Sequence, residues 1–172
     1  MAHLIEFTTA KFDVSQETPN PINPIAGESV LKWLREKLAQ HQYGATDPDT
    51  EDWGWYMEVK GPGCSYLVGA GGDATSSSAR VEWIIQVHKQ RSLKEKVTGT
   101  NKLAVDDPLF ALIERIVRED TRLDAIEVTK NTWSGTRAEA PMQANCRFAR
   151  QLDRLHPTSG WAVIQTESAA GG

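Results

Sequence analysis

Long apolar runs, a cysteine framework and any catalytic signature are all missing from this 172-residue chain. No stretch approaches the roughly 18 apolar residues of a membrane-spanning helix, so a membrane is not an expected partner. The only cysteines, Cys64 and Cys146, stand far apart in the sequence. Two thiols so placed form no disulfide scaffold, and free thiols in a reducing compartment are expected. The start, Met-Ala-His-Leu-Ile-Glu-Phe, lacks the basic region and long apolar stretch of a secretory signal. A cytoplasmic protein is the expectation. His3, His41, His88 and His156 are scattered rather than paired at metal-ligand spacing, and no Cys-x-x-Cys occurs, so no metal or other cofactor is expected. No phosphate-binding loop and no nucleophile elbow is present. Asn101-Lys102 lacks the aspartate two positions on that guanine recognition would need, because Ala104 stands there.

Excess positive charge is also absent. Nineteen basic residues face 23 acidic ones, a net charge of −4. Such a chain repels a phosphate backbone unless a local basic patch overrides the total, which disfavours nucleic acid as a partner. The local exception is the stretch 88–102, with Lys89, Arg91, Lys94, Lys96 and Lys102.

What is present reads as a sheet with helices. Three alternating segments stand together: Trp53–Val59, Cys64–Val68 across the turn Gly61-Pro62-Gly63, and Val81–Val87. Residues 4–14 read as a further strand, with a slip in its alternation near Ala10-Lys11 that implies a bulge. A helix is expected over about 29–42, capped by Ser29, with Leu31, Leu34 and Leu38 on one stripe. A second is expected over about 107–119, capped by Asp106 or Asp107, with Pro108 in its first turn. Ala125–Thr129 reads as another strand. The order β-α-β-β-β-α-β gives an α+β fold: an antiparallel sheet of four to six strands with two helices packed on one face. Residues 1–132 form this core. Residues 133–172 are read as a C-terminal extension, with a helix at about 141–156 and a disordered end.

Several segments invite a functional reading. Gly69-Ala-Gly71-Gly72-Asp73-Ala74 has the spacing of a dinucleotide fingerprint, but a serine-rich loop and a strand follow it rather than a helix, so glycine at a strand end is the better reading. The acidic loop 47–52 lacks the glycine and distant glutamate of a calcium loop, and solvated carboxylates are expected. Trp53, Trp55 and Trp83 are expected on one sheet face, either as core or as an aromatic platform for a small ligand or substrate. The other face carries a Tyr56/Leu67/Ile84 patch, which the 141–156 helix is expected to cover. Arg147, Arg150 and Arg154 share one face of that helix by spacing. These six residues are the candidate interaction surface, and nothing in the sequence sets an oligomeric state.

The strings Glu51–Val59, Ser65–Gly69 and Lys89–Leu93, followed by the Asp106-Asp107-Pro108-Leu109 helix start, resemble a set of small uncharacterised proteobacterial α+β proteins over about residues 28–120. The resemblance implies a bacterial, self-contained α+β domain and brings no activity or site residue with it. The functional expectation is a non-catalytic, protein-binding protein of the immunity or adaptor kind, with another protein as partner. Its rival is a small-ligand binder or enzyme using the Trp53/Trp55/Trp83 face. If Trp55 is core, Trp55→Ala is expected to cost about 3–5 kcal/mol in urea unfolding. A cost under about 1 kcal/mol would show an exposed ring.

Overall fold

The computed structural model describes residues 2–22, 24–100 and 103–130, with the side chain of Lys96 excepted. The fold mixes helix and strand around an open antiparallel sheet. Strand β1 (His3–Thr9) is followed by a 3-10 turn (Val14–Gln16) and β2 (Ile25–Ala26). Helix α1 (Glu28–Ala39) leads to the short β3 (Gly44–Ala45) and β4 (Asp49–Glu51). Then come β5 (Gly54–Gly61), β6 (Cys64–Asp73) and β7 (Val81–Gln90), helices α2 (Leu93–Thr98) and α3 (Pro108–Glu119), and β8 (Asp124–Lys130). The strand order is β3-β5-β6-β7-β1-β8, with β2 on β6 and β4 on β5.

Register divides the sheet into two faces. One rung runs Trp55–Ala70–Ile85–Ile5–Val128, and the next runs Tyr56–Gly69–Gln86–Leu4–Thr129. Successive side chains on a strand point to opposite faces, so the first rung marks the core face and the second the other face. The core-face residues share one buried cluster with Val30, Leu31, Leu34 and Leu38 of α1 and with Leu109, Phe110, Ile113 and Val117 of α3. Both helices expected from the apolar stripes are therefore present, each with its stripe buried.

Two glycines of β6 make room for indoles against the sheet. A Cβ at Gly72 would come within 2.6 Å of the Trp83 ring, and one at Gly69 within 2.6 Å of the Trp53 ring. The glycine-rich run thus lies in strand β6 and opens no helix, as its context implied. β6 runs on to Asp73 because β2 pairs with its far end, Ile25 with Asp73 and Ala26 with Gly72.

Other local expectations are corrected. β1 stops at Thr9, and its register shift lies against β8 between Glu6 and Thr8 rather than near Ala10-Lys11. Phe12 still reaches the core, edge-on to Trp33 and Trp83 at 5.7 Å each. Helix α1 starts at Glu28, not beyond Ser29. Its free N–H groups are capped by a carboxylate from the loop before it: Glu17 accepts from Gly27 N (3.2 Å), Glu28 N (2.9 Å) and Ser29 N (3.2 Å). The Ser29 hydroxyl also donates to Glu17. Helix α3 follows the expectation, with Asp107 as its cap and Pro108 in its first turn. The expected 141–156 helix and the 133–172 extension lie outside the described residues.

An anionic cap adds charge-assisted bonds and a favourable field at the positive helix end. Glu17→Ala should therefore destabilise the domain by about 1–2 kcal/mol. Ser29→Ala should cost less, because the Glu17 carboxylate and the three backbone donors remain. Urea titrations of the two variants check the order, and an equal loss would return the cap to Ser29.

Candidate functional site

The expected aromatic face does not exist as one surface. Trp83 is 0% exposed and Trp55 5% exposed, both inside the core cluster. The Trp55 indole nitrogen donates to the Ile25 carbonyl at 3.1 Å, which satisfies its polar edge. Trp53 lies on the opposite face, over Gly69 and 6.1 Å from the Tyr56 ring. The reason is local. Residues 52 and 53 form the turn between β4 and β5, since Glu51 pairs with Gly54, so strand alternation does not set the direction of Trp53.

The second face gathers Tyr56, Leu67 and Ile84 as expected from parity, but they are not equally available. Tyr56 and Leu67 are half-buried, while Ile84 is 1% exposed and sits between Gly71 and Glu6 in register. Tyr56 leans toward the acidic strand β4, with its hydroxyl 3.5 Å from Asp49, and burial together with Asp49 and Glu51 raises its pKa. Arg147, Arg150 and Arg154, the other half of the candidate surface, lie outside the described residues. Asp47 of the acidic loop pairs with Arg35, and Asp49–Glu51 is strand β4. Among the described residues, no group of three or more metal-ligating side chains converges.

Two polar constellations escaped the sequence. The first joins β6, β7 and the start of α3. The Cys64 thiol donates to the Tyr66 hydroxyl at 3.2 Å, and that hydroxyl donates to Asp107 Oδ2 at 3.2 Å. Lys89 Nζ stands 3.3 Å from the same oxygen. Asp107 Oδ1 meanwhile caps α3 through Leu109 N (3.1 Å) and Phe110 N (3.4 Å). Burial, with Cys64 and Asp107 beside it, pushes the Tyr66 phenol well above its ordinary range. The phenol stays protonated and serves as a link rather than a base. The spacing of Tyr66 and Lys89 on paired strands could not reveal this, because it needs the register Tyr66↔Lys89 and the return of the chain at Asp107.

The second lies where α1 and α3 end. Asp120 accepts from two of the Arg122 guanidinium nitrogens, Nε at 2.9 Å and Nη2 at 2.8 Å, and from Lys11 Nζ at 2.7 Å. The Arg122 hydrogen bonds first, and then Lys11, hold its carboxyl well below the usual range. Lys11 also lies 3.8 Å from the centre of the Trp33 ring. A cavity of about 440 Å³ opens beside it, edged by Lys37, His41, Ile116, Glu119 and Arg122. Its strongest charges already pair with one another, so it offers no dominant field to a ligand.

The most exposed apolar side chains on a regular element belong to α2. Leu93 is 81% exposed and Val97 87% exposed, and their i,i+4 spacing puts them on one helix face. This six-residue helix is tightly framed. Ser92 Oγ accepts from Glu95 N at 3.3 Å, while the Glu95 carboxylate accepts from Ser92 N at 2.8 Å, closing a capping box. Gly99 ends the helix in the left-handed conformation at φ 69°. Of the basic stretch 88–102, Lys89 lies in β7, Arg91 stands before the helix and Lys94 is exposed on it, so α2 is an exposed arm.

His88, opposite Leu67 on the second face, generates a pH prediction. Burial pushes its imidazole down to about 4 from the ordinary 6.5. Below pH 6.5 the unfolded chain gains a proton that the native chain refuses. The stability from neutral His88 is therefore complete above pH 6.5 and declines as the pH falls toward 4, by about 3 kcal/mol. The depressed carboxylates Glu28 and Glu114 act lower, below their ordinary 4.5. Urea unfolding at a series of pH values should show the decline, and His88→Gln should abolish it above pH 4.5; an unchanged slope in that variant would assign it elsewhere. Compared with known proteins, the chain matches no family model, no curated protein and no solved structure.

Proposed function

We propose that this is a non-catalytic, cytoplasmic protein-binding protein of the immunity or adaptor kind, and that it contacts its partner through the α2 arm. The observation that carries the reading is the exposed pair Leu93 and Val97 on a helix capped at both ends. A six-residue helix is marginal in water by itself, and here its apolar side is turned to solvent instead of stabilising the core. Apolar groups held out in a fixed geometry favour a contact with another surface. The rival reading loses its ground because Trp55 and Trp83 are core and Trp53 lies on the other face. The Cys64–Tyr66–Asp107–Lys89 chain links three segments of the fold and leaves no free base beside a free nucleophile.

Site-specific photo-crosslinking in cells of origin tests the reading. A crosslinker at position 94 should give one discrete protein adduct, and one at the exposed Glu36 of α1 should give none. Leu93→Asp with Val97→Asp should remove the adduct while changing stability by less than about 0.5 kcal/mol, as expected for exposed positions. Metabolite screening supplies the opposing outcome. A small molecule that raises the melting temperature in proportion to its concentration would favour a ligand-binding protein.

A further inference from the structure

Resting on that reading, we infer that α2 is an anchor that seats Leu93 and Val97 in an apolar slot on the partner, and that the rim of this slot is acidic.

The geometry of the arm carries the first half. Leu93 and Val97 project from the same side of a helix whose two ends are fixed by the Ser92/Glu95 box and by Gly99. Two apolar side chains one turn apart form the minimal version of a helix-in-groove contact. The arm is also closed at its base. Lys89 before it and Asp107 after it meet at 3.3 Å, with side chains 13% and 1% exposed. Past the helix the chain is tied to the body again before Asp107: Leu103 is 8% exposed within the core cluster, and the Ala104 carbonyl stands 2.7 Å from His3 Nε2.

Charge carries the second half. In a chain of net charge −4, the run 88–96 holds Lys89, Arg91, Lys94 and Lys96 against the single acid Glu95. Lys89 is used at the base. Arg91 stands just before the helix and Lys94 follows Leu93 on it, and among the described residues neither makes an ion pair. Carboxylates on the partner would complement them and steer the encounter.

Two other occupants fit less well. Arm-to-arm pairing of two copies would set Arg91 and Lys94 of one against those of the other, a like-charge contact. An anionic lipid surface would meet only two apolar side chains, a small insertion area, while repelling the acidic remainder of the chain.

A random peptide library displayed on phage, selected against the full-length protein, tests the inference. The expected result is enrichment of peptides that combine aliphatic or aromatic residues with Asp and Glu. Their affinity should drop roughly tenfold or more with Leu93→Asp or Val97→Asp. Lys94→Glu and Arg91→Glu should weaken binding and flatten its salt dependence. Circular dichroism and urea unfolding establish that each variant is folded, and Leu93→Ala and Val97→Ala give the same test without new charge. Acid-poor peptides, or peptides indifferent to all four positions, would overturn the anchor but leave a protein-binding protein. No enriched peptide, together with no adduct from position 94, would overturn both. Two further measurements address the other occupants. A concentration-dependent dimer in sedimentation that Leu93→Asp abolishes would assign the surface to a second copy. Cosedimentation with phosphatidylcholine/phosphatidylglycerol vesicles that needs Leu93 and Lys94 would assign it to lipid. Either result overturns the acidic-slot inference.

Discussion

One buried carboxylate joins most of what this domain is made of. Asp107 is 1% exposed, a position at which a charged group is strongly unfavourable unless it is paired and fully hydrogen-bonded. Here both oxygens are occupied. Oδ1 takes two N–H groups at the positive end of α3, and Oδ2 takes the Tyr66 hydroxyl and the Lys89 ammonium. The helix needs an acceptor at that end, the phenol needs one because it is buried at 2% exposure, and the lysine needs a counter-charge. A single side chain meets three demands, and so fixes where α3 begins relative to the sheet. Removing it would leave a buried phenol, a lysine and two backbone donors unsatisfied at once, which is why no neutral residue can take its place without loss.

The sheet faces differ because their residues do. On the core face, Gly72 yields its side-chain volume to Trp83, and the indole can lie against the backbone with Phe12 edge-on beside it. On the other face, Gly69 does the same for Trp53. Each glycine lowers the local strand preference and is compensated by the apolar area of the ring it admits. The second face keeps half-buried polar groups, Tyr56, Gln86 and His88, beside the buried Leu4 and Ile84. It is neither a plain solvent face nor a core, and His88 carries the electrostatic consequence.

Period and cap chemistry made the regular elements legible. The Leu31/Leu34/Leu38 stripe gave α1, Asp107-Pro108 gave the start of α3, and strict alternation gave β5, β6 and β7. Elements of two or three residues have no period, so β2, β3 and β4 could not be read; they exist because neighbouring strands offer them a ladder. Helix α2 did carry a local signal, Ser92 with Glu95 three residues on and Gly99 at the end. The density of lysines around it makes the same stretch read as a charged segment. The site residues followed the same division. The parity of Tyr56, Leu67 and Ile84 was correct because alternation governs it. Trp53 was misplaced because a turn does not alternate, and the Glu17 cap was invisible because nothing local links position 17 to a helix ten residues on.

The arm and its base can be joined in one physical argument. Ordering a flexible segment on binding costs conformational entropy, and only what remains of the contact energy appears as affinity. The contact offered by Leu93 and Val97 is small, so a floppy arm would spend most of it on becoming ordered. The Lys89–Asp107 pair, the capping box and the Gly99 stop each remove freedom before any partner arrives. They do so from the polar side, leaving the apolar side untouched. The carboxylate that sets α3 also holds Lys89 on the strand that leads into α2, while Leu103 in the core and Ala104 against His3 return the chain to the body, so the arm is held from both sides by contacts that already belong to the core.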